Sequence, residues 1–406
     1  MSLSKVLIGL FIISFPFQEN IYFGGFSISF ISMSIIAIYV VFKHNGMLMH
    51  NLKTSKVFRG FVIFLIMISI VEAFHPNASY SNIIRSFMIC ASAVMIASVF
   101  MSDAGIEYIA RTYVVSGALV AIYMFFSGYF VLLSSSATSF NEAELIRFKL
   151  ISELKIDQDF NNLAFNQGLS FLLASVFFLK GSSNKIRSWY LIIMVLTFVG
   201  LTVTMSRGGF VTVLLSFLAV LIYFRIDAKR KWGIVMLFLV LILLLIPSAF
   251  LSRMDFGLGR NSEMNDGRSK VFAASMDAIV NEGALGVGEG NFWSDWGKNS
   301  GFARYSGAGV SVRGTHNLYF QIIINWGLIG IITFLVLLFQ IFHFRPARNE
   351  PNTTSLIFIT VFVASLLYMA QIHNLQTKDF IILFSVGIIH EYLFYYKSSV
   401  DEIETI

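Results

Sequence analysis

Cysteine, charge and polar tracts are scarce in this 406-residue chain, and each scarcity removes a class of protein. The single cysteine, Cys90, rules out an intramolecular disulfide. Histidine and cysteine never cluster at metal-ligand spacing, so neither a bound metal nor a cofactor is expected. A repeat of roughly 20–50 residues, a heptad array or a low-complexity tract would mark a second unit, and none occurs. Charged residues make up 13% of the chain against 56% hydrophobic, and mean hydropathy is +0.75. An ordinary water-soluble globule is thereby excluded. What the chain has in abundance is bulky apolar surface, 43 Phe included. It reads as an all-α integral membrane protein, with residues 1–406 as a single polytopic domain and the bilayer, not nucleic acid, as its surroundings.

A helix needs about 20 apolar residues to cross the hydrocarbon. Twelve stretches meet that measure, near 5–20, 26–43, 57–74, 82–101, 110–133, 161–179, 187–205, 207–224, 232–250, 316–342, 353–372 and 378–396. The count falls to eleven if the first, which Pro16 interrupts, is discounted. That first stretch follows Lys5 as a secretory signal would, but an A-x-A-like cleavage site is missing, so it reads as a span.

Lys and Arg near span ends stay on the cytoplasmic side. With the N-terminus inside, sixteen basic residues fall on that side and six on the other outside its long loop; the remaining seven lie in that loop, 251–315, which is long enough to escape the rule. The loop is rich in Gly, Ser and Asn. It holds one helix-like piece, Arg268 to Val280, with Phe272, Met276 and Ile279 on one face, expected to lie along the outer membrane surface. A second outside loop, about 134–160, reads as an ordered lid or a plain connector.

The stretch "TVTMSRGGFVTVLLSF", residues 202–217, places polar residues where the chain turns back at the outer face. Ser206 fits as the N-cap of the returning helix. Gly208 in its first turn leaves the backbone open, and unpaired N–H groups at a helix start attract anions. Arg207 has the wrong sign for the macrodipole there, unless an anion bridges the two. The competing account is that Arg207 snorkels and the glycines serve helix packing. The pattern recurs at "THNLYF", with Thr315 as cap and His316 and Asn317 in the first turn, and at Thr377 and Lys378 ahead of the last span. The surface helix repeats it with Asp266 and Arg268. A lipid-linked pyrophosphate suits such a set, because guanidinium groups bind its oxygens in pairs. His316 is the candidate general base. Arg313, Asn317, His373 and Lys378 are candidate supporting residues.

Two motifs read as decoys. "GVGEGN" at 286–291 lacks the last glycine of a dinucleotide fingerprint and reads as a turn. "DQD", Asp157 to Asp159, has the form of a metal-nucleotide site, but lies outside and reads as a cap before the sixth span.

"SRGG", then "GRSKVFAASMDAIVNEGALGVGEGNF", then "THNLYFQIIINWGLIGI", in that order and sidedness, resemble the bacterial O-antigen ligase and O-antigen polymerase superfamily over roughly 195–340. The resemblance implies a GT-C-like membrane glycosyltransferase acting outside the cytoplasmic membrane, without a metal, on undecaprenyl-pyrophosphate-linked glycans. It places the family's arginines on Arg207 and Arg268, engaging pyrophosphate, and its histidine on His316, activating the acceptor for inverting attack. The expected function is a surface polysaccharide polymerase. The alternative is a ligase acting on lipid A core; a protein-directed transferase ranks lower. A flippase and a chain-length regulator are the partners implied. A lipid-linked glycan transporter is disfavoured because span interiors carry almost no charge, and a structural scaffold because it would need none of the outside cations.

Overall fold

The computed structural model describes residues 3–17, 22–23, 26–75, 80–135, 140–154, 160–223, 228–254, 275–281, 285–289, 317–344, 352–371 and 379–404. Apolar runs become helices throughout them. In order these are α1 (Leu3–Ile13), α2 (Ile28–Lys43), α3 (Asn45–Thr54), α4 (Lys56–Ala73), α5 (Ser81–Val99), α6 (Asp103–Met124), α7 (Phe130–Ser134), α8 (Phe140–Leu154), α9 (Phe160–Lys180), α10 (Asn184–Val203), α11 (Arg207–Tyr223), α12 (Ala228–Leu245), α13 (Ser248–Met254), α14 (Leu318–His343), α15 (Thr353–Met369) and α16 (Asp379–Glu404). The exception to the all-α expectation is a minimal antiparallel hairpin, β1 (Tyr22–Phe23) with β2 (Phe26–Ser27).

Each of the twelve apolar stretches contains a helix, yet their lengths differ from the expectation. Among the described residues, four helical segments are long and apolar enough to cross a membrane: Asp103–Ser134, α9, α10 and α14. The pair α2 and α3, bent by 95°, adds a fifth if taken as one span. The first stretch stops short: α1 ends at Ile13, and a single 3-10 turn, Phe15–Phe17, carries Pro16. The ring of proline blocks a continuing helix. The ninth breaks likewise before Pro247, which separates α12 from α13. The fifth runs longer than expected, because Ser102 caps α6 by accepting from the Gly105 N–H and a π-turn, Phe125–Tyr129, carries the helix on into α7.

Helix α9 sits at the centre, packed against α6, α10, α11 and α15. Its interior mixes apolar bulk with buried Asn166, Gln167, Gly168 and Ser170. Helices in lipid gain contact through small side chains, since apolar residues lose nothing by facing lipid. Gly168 accordingly meets Val213 of α11 so closely that an added Cβ would overlap it.

Two carboxylates tie the bundle together at opposite ends. Glu391 of α16 accepts from the Ser55 hydroxyl at 2.6 Å and from the N–H groups of Lys56 and Val57 at 2.6 and 3.1 Å, an anion on the N-terminus of α4. Glu72, at the other end of α4, accepts the Trp326 indole N–H of α14 at 3.0 Å. Gly60, early in α4, faces Gln340, late in α14, so the two helices run antiparallel.

Candidate functional site

The turn between α10 and α11 is built as the local code predicts. Ser206 is 2% exposed, and its hydroxyl accepts from the Gly209 N–H at 3.2 Å, capping α11. Met205, just before it, takes φ 48°, a left-handed conformation disfavoured for any side chain. The preceding turn absorbs it through the Thr204 hydroxyl, which accepts from the Ser206 N–H at 3.2 Å. The two glycines have separate neighbours: a Cβ on Gly208 would run into the Gln371 side chain, and one on Gly209 would press on Ala164 of α9. Close approach on two sides is what this dipeptide provides. Arg207 is half-buried at the head of the helix.

Four helix ends meet here. From α9, Asn161 accepts the Ser206 hydroxyl at 3.0 Å, and Asn162 accepts the Tyr368 hydroxyl of α15 at 2.5 Å, while Phe165 stacks on the Tyr368 ring at 3.9 Å. Just past α15, Gln371 donates to Thr212 of α11; its Oε1 is buried without a partner among the described residues. The Tyr319 hydroxyl, in the first turn of α14, donates to the Leu366 carbonyl of α15 at 3.0 Å. The starts of α9, α11 and α14 therefore gather around the end of α15.

The start of α14 departs from the expectation. Asn317, not Thr315, is the N-cap, with extended φ −152° and its side chain accepting from the Phe320 N–H at 3.2 Å. Three cap-competent or polar residues stand in a row at 315–317, and the helix takes the one next to Leu318, which is buried. His316 precedes the cap and, with Arg268, Arg313, His373, Lys378, Asp266 and Asp157 to Asp159, lies outside the described residues. The structure thus places Ser206, Arg207, Gly208 and Asn317 around one junction.

The long loop is described at 251–254, where α13 ends, at 275–281, which is helical, and at 285–289. Its packed face is Ser275 and Ala278 with Ile279, whereas Met276 is exposed, contrary to the expected Met276 and Ile279 pairing. Ala278 packs with Ile324 of α14, which is why that face turns inward.

Several polar groups escaped sequence reasoning. Glu72, a lone acid at the end of an apolar helix, is fully buried. Asp379, at the start of α16, is 8% exposed and accepts the Tyr113 hydroxyl at 2.5 Å, halfway along α6. Helix α8 occupies the stretch expected to form a second outside loop, and its Arg147 guanidinium lies 5.6 Å from the Phe160 ring centroid, beside Asn161. A residue beside a predicted cap of α9 was the one hint available.

These features define a multi-pass helical membrane protein with a polar junction at one end of its bundle. Residues 192–335 match the family model described as O-antigen ligase, so the stretch from α10 into α14 is similar to the O-antigen ligase and polymerase superfamily, as the motifs indicated. Members of that family are glycosyltransferase-like enzymes. A comparison with curated proteins finds no match.

Proposed function

We propose that the protein is a surface polysaccharide polymerase that joins undecaprenyl-pyrophosphate-linked repeat units on the outer side of the bacterial cytoplasmic membrane. The observation that carries the reading is the gathering of the α11 start and the α14 start, both in the segment similar to the ligase and polymerase superfamily, around the end of α15. In this reading residues 1–406 form one polytopic domain of about twelve spans, the junction faces outward, and the loop helix lies along the membrane surface.

The reaction needs no metal in this reading. The acceptor hydroxyl gives its proton to His316 and attacks the anomeric carbon. The bond from that carbon to the pyrophosphate oxygen breaks, its electron pair leaves with the polyprenyl pyrophosphate, and the anomeric configuration inverts. Arg207 and Arg268 stabilise the charge growing on the leaving group. Ser206 and Gly208 shape the helix start that receives it, and Asn317, Arg313, His373 and Lys378 support the site. A flippase supplies the donor and a chain-length regulator is the second partner.

Deleting the gene and resolving the surface polysaccharide on a gel tests the reading. Polymerase loss leaves one repeat unit on the core; a core left bare instead assigns the protein as a ligase. The second reading is kept because the matching model is itself described as O-antigen ligase. Purified protein that transfers glycan in detergent, with no second compartment, sets transport aside.

A further inference from the structure

The segment "GVGEGN" reads as a plain turn in the sequence, and its contacts give it a partner. Helix α14 breaks at Trp326 (φ −130°, ψ 16°) and Gly327 (φ 61°, ψ −155°), which frees carbonyls just upstream from helical pairing. The loop takes them up: the Val287 N–H donates to the Ile324 carbonyl at 2.8 Å and the Gly288 N–H to the Asn325 carbonyl at 3.0 Å. Gly286 (φ 73°) lies so near this break that a Cβ would come within 2.7 Å of the Gly327 nitrogen and 2.8 Å of the Asn325 carbonyl carbon. Backbone cannot yield there, so the loop fits the break only as glycine.

Glu72 closes the arrangement from a third element. Its carboxylate accepts the Glu289 N–H at 3.0 and 3.2 Å and the Trp326 indole N–H at 3.0 Å. One buried anion therefore holds the loop and the broken helix at once. The Glu289 carboxyl lies beside it, 6% exposed, with Oε2 buried and without a hydrogen-bond partner among the described residues. Two adjacent buried carboxylates do not both carry charge cheaply. The charges that act on Glu289 are Glu72 from α4 and Arg85 from α5, while α14 contributes the neutral Trp326.

We propose that Glu72 is a positioning residue for glycosyl transfer: it clasps the 285–289 segment of the long outer loop to the break in α14, and so registers that loop, with Arg268 upstream in it, against the two turns of α14 that follow His316. The clasp requires Glu289 to keep its proton. The inference rests on the transferase reading for its consequence, but the clasp itself is measurable without any transfer.

The test is hydrogen exchange, by mass spectrometry, of the full-length protein in nanodiscs, following peptides that contain the 287–289 amides and correcting for intrinsic exchange at each pH. In the unsubstituted protein these amides are protected at pH 6 and lose about a hundredfold of that protection by pH 9, because each of the two pH units between 6 and about 8 is a factor of ten. Glu72→Gln lowers protection by about tenfold at pH 6, since a neutral amide accepts more weakly and brings a donor of its own. Glu289→Gln, which copies the protonated acid, keeps protection at pH 9. His75→Gln, which removes the other titratable side chain at the end of α4, leaves the pH response unchanged. Unaltered protection in Glu72→Gln overturns the clasp, as does a Glu289→Gln protein that loosens with pH like the parent. Glycan transfer is then assayed on the same samples: transfer that drops about tenfold in Glu72→Gln and persists in Glu289→Gln supports the positioning role, and full transfer in Glu72→Gln overturns it. If exchange responds as stated while the unsubstituted protein transfers no glycan, the transferase reading fails and the clasp stands.

Discussion

The Ser206 hydroxyl serves two helices at once, accepting the Gly209 N–H of α11 at 3.2 Å and donating to Asn161 Oδ1 of α9 at 3.0 Å. One atom thus fixes where the returning helix begins and which neighbour it begins against. Ser206→Ala removes a helix cap, a loss of about 1 kcal/mol, and leaves Asn161 short of a donor. The substituted protein is expected to reach the membrane at a normal level with a thermal midpoint a few degrees lower in detergent. Its long-chain glycan should be reduced but present on a gel.

Gly208 and Gln371 test the junction by volume. A methyl at Gly208 displaces the Gln371 amide from Thr212, and overpacking of this kind costs about 1–3 kcal/mol. Gly208→Ala is expected to lower stability and glycan yield, and Gly208→Ala with Gln371→Ala to recover stability by making room. A double variant no more stable than the single one, by thermal scanning, contradicts this packing.

Arg207 and His316 carry the proposed chemistry. Arg207→Ala, at unchanged membrane level, should abolish long-chain glycan. Arg207→Lys should recover little, because an ammonium cannot bind two phosphate oxygens as a planar fork does. His316→Ala should also lose long-chain glycan. Immunoblot paired with a polysaccharide gel separates loss of activity from loss of protein.

Burial, and then the nearby Glu72 charge, raise the Glu289 carboxyl from its ordinary 4.5 to about 8, with Arg85 opposing the shift. A loop lifted from its seat returns this group to 4.5, so the docked state binds the extra proton between those values. Docking is therefore strongest below pH 4.5, weakens from there to about 8, and levels off above. Transfer by the unsubstituted protein is expected to fall on the alkaline side with a midpoint near 8. A pH profile of Glu289→Gln should lack that limb and keep any acidic limb set by the general base.

At the far end of the bundle, Glu391 accepts from Ser55, Lys56 and Val57 while 2% exposed. Glu391→Ala leaves buried donors at the start of α4 unmatched, at about 3 kcal/mol. A drop in thermal midpoint with the glycan chain-length pattern unchanged in the surviving protein marks the role as structural.

What could be read in advance follows the range of the forces. The cap at Ser206 was legible because it is decided within three residues. The cap of α14 was misplaced by two, because Thr315 and Asn317 are both competent and the burial of Leu318 chose between them. The face of the loop helix was misread for the same reason: Ala278 is small enough to lie against Ile324, and periodicity counts only large apolar residues. The clasp was invisible, since Glu72 and Glu289 are separated by 217 positions.

The order of residues by itself determined that this chain lives in a bilayer and where its helices turn, because burying backbone polar groups in hydrocarbon forces each long apolar run into a helix. Only the tertiary structure decided which helix ends meet, that Gln371 and Tyr368 lie between the heads of α9 and α11, and that an inconspicuous glycine turn seats on a broken helix under a buried acid. Those pairings depend on matching surfaces far apart in the chain, where a hydrogen bond of about 3 Å has no counterpart in local pattern.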